Sequence, residues 1–105
     1  MKHLRMGCVA GRHDIKQAVD GYLFERVEDV HDYEYMRDVI ERKLALAGSL
    51  DLYVTGLTAV TAEAVATCCK YGIELTLFHY DRETGEYKAQ VIVSDSEAEL
   101  LKEGK

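Results

Sequence analysis

The stretch from Asp51 to Tyr80 constrains this chain more than any other. Asp51-Leu52-Tyr53-Val54-Thr55-Gly56 opens as a strand, and the residues after it change to a helical period. Val60, Ala64 and Cys68 form an inward stripe, with Ala62, Val65 and Ala66 close by. The spacing predicts a helix over 59–71, with Thr58 as its N-cap and Gly72 as its stop. Small side chains along that stripe let a helix lie close to a sheet. Residues 73–80 then form a strand whose two faces are both largely apolar or aromatic, which belongs inside a sheet. Strand, helix and strand in that order make a βαβ unit, whose crossover is nearly always right-handed.

The remaining segments add to this unit. Residues 4–10 read as a first strand, with Leu4, Met6 and Cys8 on one face and Val9 on the other, ended by the turn Gly11-Arg12-His13-Asp14. Residues 22–27 are rich in aromatic and branched side chains and read as a second strand. Tyr33, Met36, Ile40, Leu44 and Ala47 recur at three- and four-residue spacing with Val39 beside them, a helix capped by Asp29 or Asp32 and ended by Gly48. Its other face, with Glu34, Arg37, Asp38, Glu41 and Arg42, is solvated. After Tyr80, the turn 81–86 places Gly85 for positive φ, so residues 87–93 return antiparallel. Residues 94–105 read as a polar tail with a Leu100-Leu101 anchor. The expected fold class is α/β: one domain over 1–105, a compact Rossmann-like three-layer sheet, mostly parallel with a C-terminal antiparallel hairpin strand.

Composition excludes several classes of function. A formal charge of −6 gives little attraction to a phosphate backbone or an anionic bilayer, so neither general nucleic-acid binding nor membrane association is expected. The three cysteines (Cys8, Cys68 and Cys69) include an adjacent pair and no CxxC, which is neither a disulfide framework nor a zinc site. They read as buried free thiols of a reducing compartment. Lys2, His3 and Arg5 interrupt any apolar run at the start, and no stretch approaches a membrane span, so a cytoplasmic location is expected. No spacing of His, Cys or Asp suggests a metal, and no cofactor is implied.

In an open parallel sheet, ligands sit outside the carboxyl ends of the strands. Three segments should converge there: Gly11-Arg12-His13-Asp14, Thr55-Gly56-Leu57-Thr58 and His79-Tyr80-Asp81. A helix start carries free N–H groups and the positive end of the dipole. Gly56 lets an anion approach, Thr55 and Thr58 add hydroxyl donors, and Arg12 can grip a phosphate with its fork. The candidate ligand-binding residues are therefore Gly11, Arg12, Thr55, Gly56 and Thr58. The plainer reading of the same threonines and glycine is a capped turn. His13, His79 and Asp81 are candidates for acid–base work, against a plainer role in local hydrogen bonding and, for Asp81, in the hairpin turn. Of the seven tyrosines, Tyr80 and Tyr87 should face each other across the hairpin.

The order of these motifs resembles the SLOG superfamily, a Rossmann-like group of nucleotide-processing and nucleotide-sensing proteins. Ala10-Gly11-Arg12-His13-Asp14 is similar to the loop that ends its first strand, and Val54-Thr55-Gly56-Leu57-Thr58-Ala59 to its glycine-rich loop opening a helix. Glu63, Ala64, Tyr71-Gly72-Ile73 and Leu77-Phe78 extend the likeness over about two-thirds of the chain. The second loop holds one glycine where that group has several, and residues 15–30 form an insertion with its own strand. The resemblance implies a site for a small nucleotide-like ligand, sensed or sequestered, in a protein of the kind carried by phages and other mobile elements. The rival expectations are an enzyme cleaving a glycosidic or phosphodiester bond at the same place, and an acidic module that inhibits or adapts a protein partner. The hairpin edge and the many tyrosines point to a homodimer.

Overall fold

The computed structural model describes residues 2–11, 15 and 19–104. Eight elements follow in order: β1 (Lys2–Val9), β2 (Gly21–Phe24), α1 (Tyr33–Lys43), β3 (Ala47–Tyr53), α2 (Thr58–Tyr71), β4 (Glu74–Asp81), β5 (Glu86–Val93) and α3 (Asp95–Glu103). The strands form one sheet in the order β2-β1-β3-β4-β5. The first four are parallel and β5 returns antiparallel beside β4. The Rossmann-like, mostly parallel sheet with its C-terminal hairpin strand is thus present, and no helix among the described residues is long and apolar enough to cross a membrane.

Alternation along the strands decides which side is packed. Leu50 and Leu52 of β3 pair with Leu75 and Leu77 of β4, and all four are buried. Met36 and Ile40 of α1, with Val60, Ala64 and Cys68 of α2, close over them. All three helices lie on this one face. Each large side chain fully buried here stabilises the fold by roughly 1.5–3 kcal/mol before chain entropy is counted. The opposite face carries Ser49, Asp51 and Tyr53 of β3 beside His3, Arg5 and Gly7 of β1. Its cover among the described residues is Ile15, packed with Tyr22 against Gly7; a Cβ on Gly7 would stand 2.5 Å from the Tyr22 ring and 2.8 Å from Ile15. The handedness of crossovers explains this asymmetry. β2-α1-β3 and β3-α2-β4 both step rightward along the sheet and so place their helices on one face, whereas β1 to β2 steps the other way, and Ile15 between them lies on the opposite face.

Three local expectations are corrected and one choice is settled. The first helix ends at Lys43 with Leu44 as its C-cap, and Ala47 and Gly48 already belong to β3, because the Ala47 backbone pairs with Lys2. Asp32 rather than Asp29 caps α1, accepting the Tyr35 N–H at 3.2 Å. Thr58 is the first residue of α2 and Leu57 holds the cap position. Residues 95–103 are not a loose tail but α3, started by a capping box in which Ser94 and Glu97 satisfy each other's backbone N–H groups.

Two of the three cysteines are buried and the third, Cys69, is exposed, so the expectation of three buried thiols holds for Cys8 and Cys68 alone. Burial pushes the Cys68 thiol up to about 12. A thiol whose pKa is raised by folding supports the fold fully below the unfolded value, and that support is lost as pH climbs from about 9 toward 12. Urea midpoints should therefore fall more steeply with pH for the wild type than for Cys68→Ala across that range. A thiol reagent at neutral pH should modify Cys69 only; labelling of Cys68 in the folded protein would contradict its position.

Candidate functional site

The carboxyl ends of β1 and β3 are adjacent, and their connections leave in opposite directions, one toward β2 and the other toward β4. That is the topological switch point of an open sheet, where a crevice forms because no connection crosses above the strand ends. Gly11 lies at the exit of β1 with φ 76°, and Gly56 at the exit of β3 with φ 91°; both are exposed. Arg12, His13 and Asp14 lie outside the described residues.

Thr55 has a different task from the one its sequence position suggests. It is only 1% exposed, and its Oγ1 accepts the N–H of Cys8 at 3.3 Å and of Val9 at 3.5 Å while donating to the Val9 carbonyl at 3.5 Å. One hydroxyl thereby knits the ends of the two strands together across 46 and 47 positions of sequence. It ties the two strand exits together, and its donor and both acceptor positions are already engaged. The neighbouring Cys8 thiol sits 3.5 Å from Thr61 Oγ1, and burial raises its pKa, so it is a neutral group and not a nucleophile.

Gly56 and Thr58 stay exposed at the mouth, at the start of α2. This helix start differs from the other two. Asp32 caps α1, with Glu34 in its first turn, and Ser94 caps α3, with Asp95 and Glu97 behind it. In α2, no side chain caps the start and the first turn holds no acid. Neither a side-chain cap nor a first-turn acid among the described residues offsets the positive end of its dipole.

His79 and Asp81 lie at the end of β4, the strand next to β3 and two strand spacings from β1, or roughly 10 Å. His79 turns to the side opposite Tyr80, and its Nε2 lies 2.7 Å from Gln90 Oε1 across the hairpin. Asp81 Oδ1 accepts the Glu83 N–H at 2.9 Å, and its carbonyl accepts that of Gly85 at 2.8 Å, the work of a turn residue. Tyr80 and Tyr87 do face each other, with ring centroids 5.5 Å apart. They extend an aromatic group in which Tyr53 stacks on Phe78 at 4.9 Å and meets the edge of Tyr87 at 4.8 Å.

Lower on the helix-free face stands a constellation that sequence reasoning missed. His3 Nδ1 lies 2.6 Å from Ser49 Oγ, and its Nε2 lies 3.1 Å from Asp51 Oδ2, with Arg5 Nε 4.0 Å from the same carboxylate. Serine, imidazole and carboxylate are in the order that would activate a nucleophile. The remaining requirement is an oxyanion donor, and Ser49 cannot supply one from its own backbone. β3 is paired on both sides at this level, so its N–H groups are committed to the sheet. The only signal in the sequence was the two-residue spacing of Ser49 and Asp51, which says nothing until register sets His3 beside them.

A hollow of about 370 Å³ lies at the other end of the sheet, between the C-terminal ends of α1 and α2. Its one acid, Glu41, is engaged by the Tyr71 hydroxyl and lies 3.9 Å from Lys70. Among the described residues no group of three His, Cys, Asp or Glu side chains is placed to hold a metal ion. No family model, curated protein or solved structure matches the chain.

Proposed function

We propose that this protein binds a small phosphate-bearing ligand of nucleotide type at the switch point between β1 and β3, and that it senses or sequesters this ligand. The observation that carries the reading is the adjacency of two oppositely directed strand exits, each turning through an exposed glycine with positive φ. The uncapped start of α2 supports it, because its N–H groups suit an anionic oxygen. In this reading the phosphate lies over Gly56 and the first turn of α2, with Thr58 as a hydroxyl donor and Gly11 leaving room on the β1 side. Arg12, at the next position of the chain, supplies the countercharge. Thr55 acts beneath the site rather than in it. The likeness to nucleotide-binding Rossmann-like proteins favours the same class of ligand, and a compact acidic chain fits a cytoplasmic or mobile-element setting.

Thermal denaturation against a panel of mononucleotides, dinucleotides and cyclic oligonucleotides tests the reading. A ligand at a hundred times its Kd should stabilise the protein by about 2.7 kcal/mol and raise Tm by several degrees. Gly56→Val should abolish that shift while the chain remains folded, and Arg12→Ala should weaken binding at least tenfold. A panel that leaves Tm unmoved sinks the proposal. The ligand should be recovered intact after prolonged incubation, since His79 is engaged by Gln90 and Asp81 by the hairpin turn; a cleaved product would favour the enzymatic reading.

A further inference from the structure

We propose that β5 is the seam of a two-fold homodimer in which two five-stranded sheets join edge to edge, with Ala89 on the symmetry axis. This inference is independent of the ligand reading above. β5 is the longer of the two edge strands, eight residues against four in β2, and among the described residues its outer side has no neighbouring strand. Such an edge presents backbone donors and acceptors that a second strand can satisfy.

The residues of β5 select both the partner and the register. Tyr87, Ala89 and Val91 pair with Tyr80, Phe78 and Thr76 and so project on the helix-free face; Glu86, Lys88 and Gln90 project on the other. Val91 is 63% exposed on a surface otherwise continuous with the Tyr53–Phe78–Tyr87 group. Two copies of β5 related by a two-fold axis run antiparallel, and directly opposed residues share a face. With Ala89 on the axis, Tyr87 of each copy covers Val91 of the other, Lys88 meets Gln90, and the small Ala89 pair leaves room for the rings. With Lys88 on the axis, two like charges are opposed, which is unfavourable. With Tyr87 on the axis, pairing shrinks to residues 86–88 and Val91 faces the turn. With Gln90 on the axis, the contact runs past Ile92, where β5 shifts register against β4 and face matching is lost. Of these four registers, the one centred on Ala89 opposes Tyr87 to Val91, opposes no like charges and keeps those contacts within the regular stretch 87–91 of β5. A contact between β5 and the β2 edge of another copy would not close on itself, so the symmetric join is the one that ends in a dimer.

Each chain carries a charge of −6, so the copies repel at a distance and association should tighten as salt is added. The decisive measurement is a cysteine scan along β5 in a Cys69→Ser background, which removes the exposed native thiol. Directly opposed residues in an antiparallel pair have Cα atoms about 4.5–5.5 Å apart, within the range a disulfide spans. Under mild oxidation Ala89→Cys should give a disulfide-linked dimer in high yield, and Tyr87→Cys and Lys88→Cys at least fivefold less. Light scattering should show a dimer for the wild type and a Kd raised at least tenfold by Val91→Lys, with an unchanged far-UV spectrum. A wild type that stays monomeric at millimolar concentration overturns the proposal, and so does cross-linking of equal yield at all three positions.

Discussion

Replacing Gly72 by alanine should lower stability by about 2–4 kcal/mol and Tm by roughly 10–25 °C, the largest effect expected from adding so little. Two costs add. Gly72 ends α2 in the left-handed region, at φ 68° and ψ 44°, where its N–H closes on the Cys68 carbonyl. An L-residue there is strained by roughly 1–2 kcal/mol. The added Cβ would also stand 2.9 Å from the Ala98 carbonyl oxygen and 3.2 Å from the Lys102 nitrogen, both backbone atoms of α3. These cannot swing aside as a side chain can, so α3 must lift from the end of α2. Gly85→Ala provides the control: its φ is 73°, but nothing lies within 4 Å of the new methyl, so only the strain remains. Urea unfolding of the two variants side by side should show the Gly72 change costing at least twice as much. Equal losses would mean that α3 does not press on Gly72.

Thr55→Val is the second change with a large expected consequence. Valine keeps the shape and removes the hydroxyl, leaving the Cys8 and Val9 N–H groups without their Thr55 partner in a buried place. The cost should be about 1–3 kcal/mol, and Thr55→Ser should recover most of it. The measurement separates two roles for one residue. If Thr55 fastens β1 to β3, the free protein is destabilised, and ligand affinity falls only as far as the crevice loosens. If the hydroxyl served the ligand directly, the free protein would be as stable as wild type and only binding would suffer. Unchanged stability of the free valine variant would remove the fastening role.

These two residues also mark how much of the molecule the amino-acid string discloses. Gly72 as the stop of α2, the βαβ unit around it, the hairpin at Gly85 and the opposition of Tyr80 to Tyr87 are local patterns of period and turn chemistry, legible without knowing what lies nearby. The tasks of Thr55, and of His3 with Ser49 and Asp51, depend on register between segments more than forty residues apart, which no local pattern contains. Ala47 fits the helical spacing that begins at Tyr33, yet its backbone pairs with Lys2, so tertiary pairing overrides the period. Residues 94–103 carried a capping-box signature, Ser94 with Glu97, but too short an apolar stripe to read as a helix. Ala98 is buried because α3 docks on the end of α2 and β4, a surface absent from the segment itself. At the candidate site, the two glycines and the start of α2 were visible in advance. That His79 turns to the hairpin was not, because which way a strand residue faces depends on the parity of the sheet.

The one-sided placement of the helices gives the chain an unusual freedom. Of the described residues between β1 and β2, Ile15 packs beside Gly7 on the helix-free face, and none joins the buried cluster beneath the helices. On the proposed ligand reading, lengthening or rewriting this segment would alter what is bound while the machinery of folding is left alone. Relatives that diverge there and agree elsewhere would be expected to differ in what they capture and to share nearly the same resistance to heat.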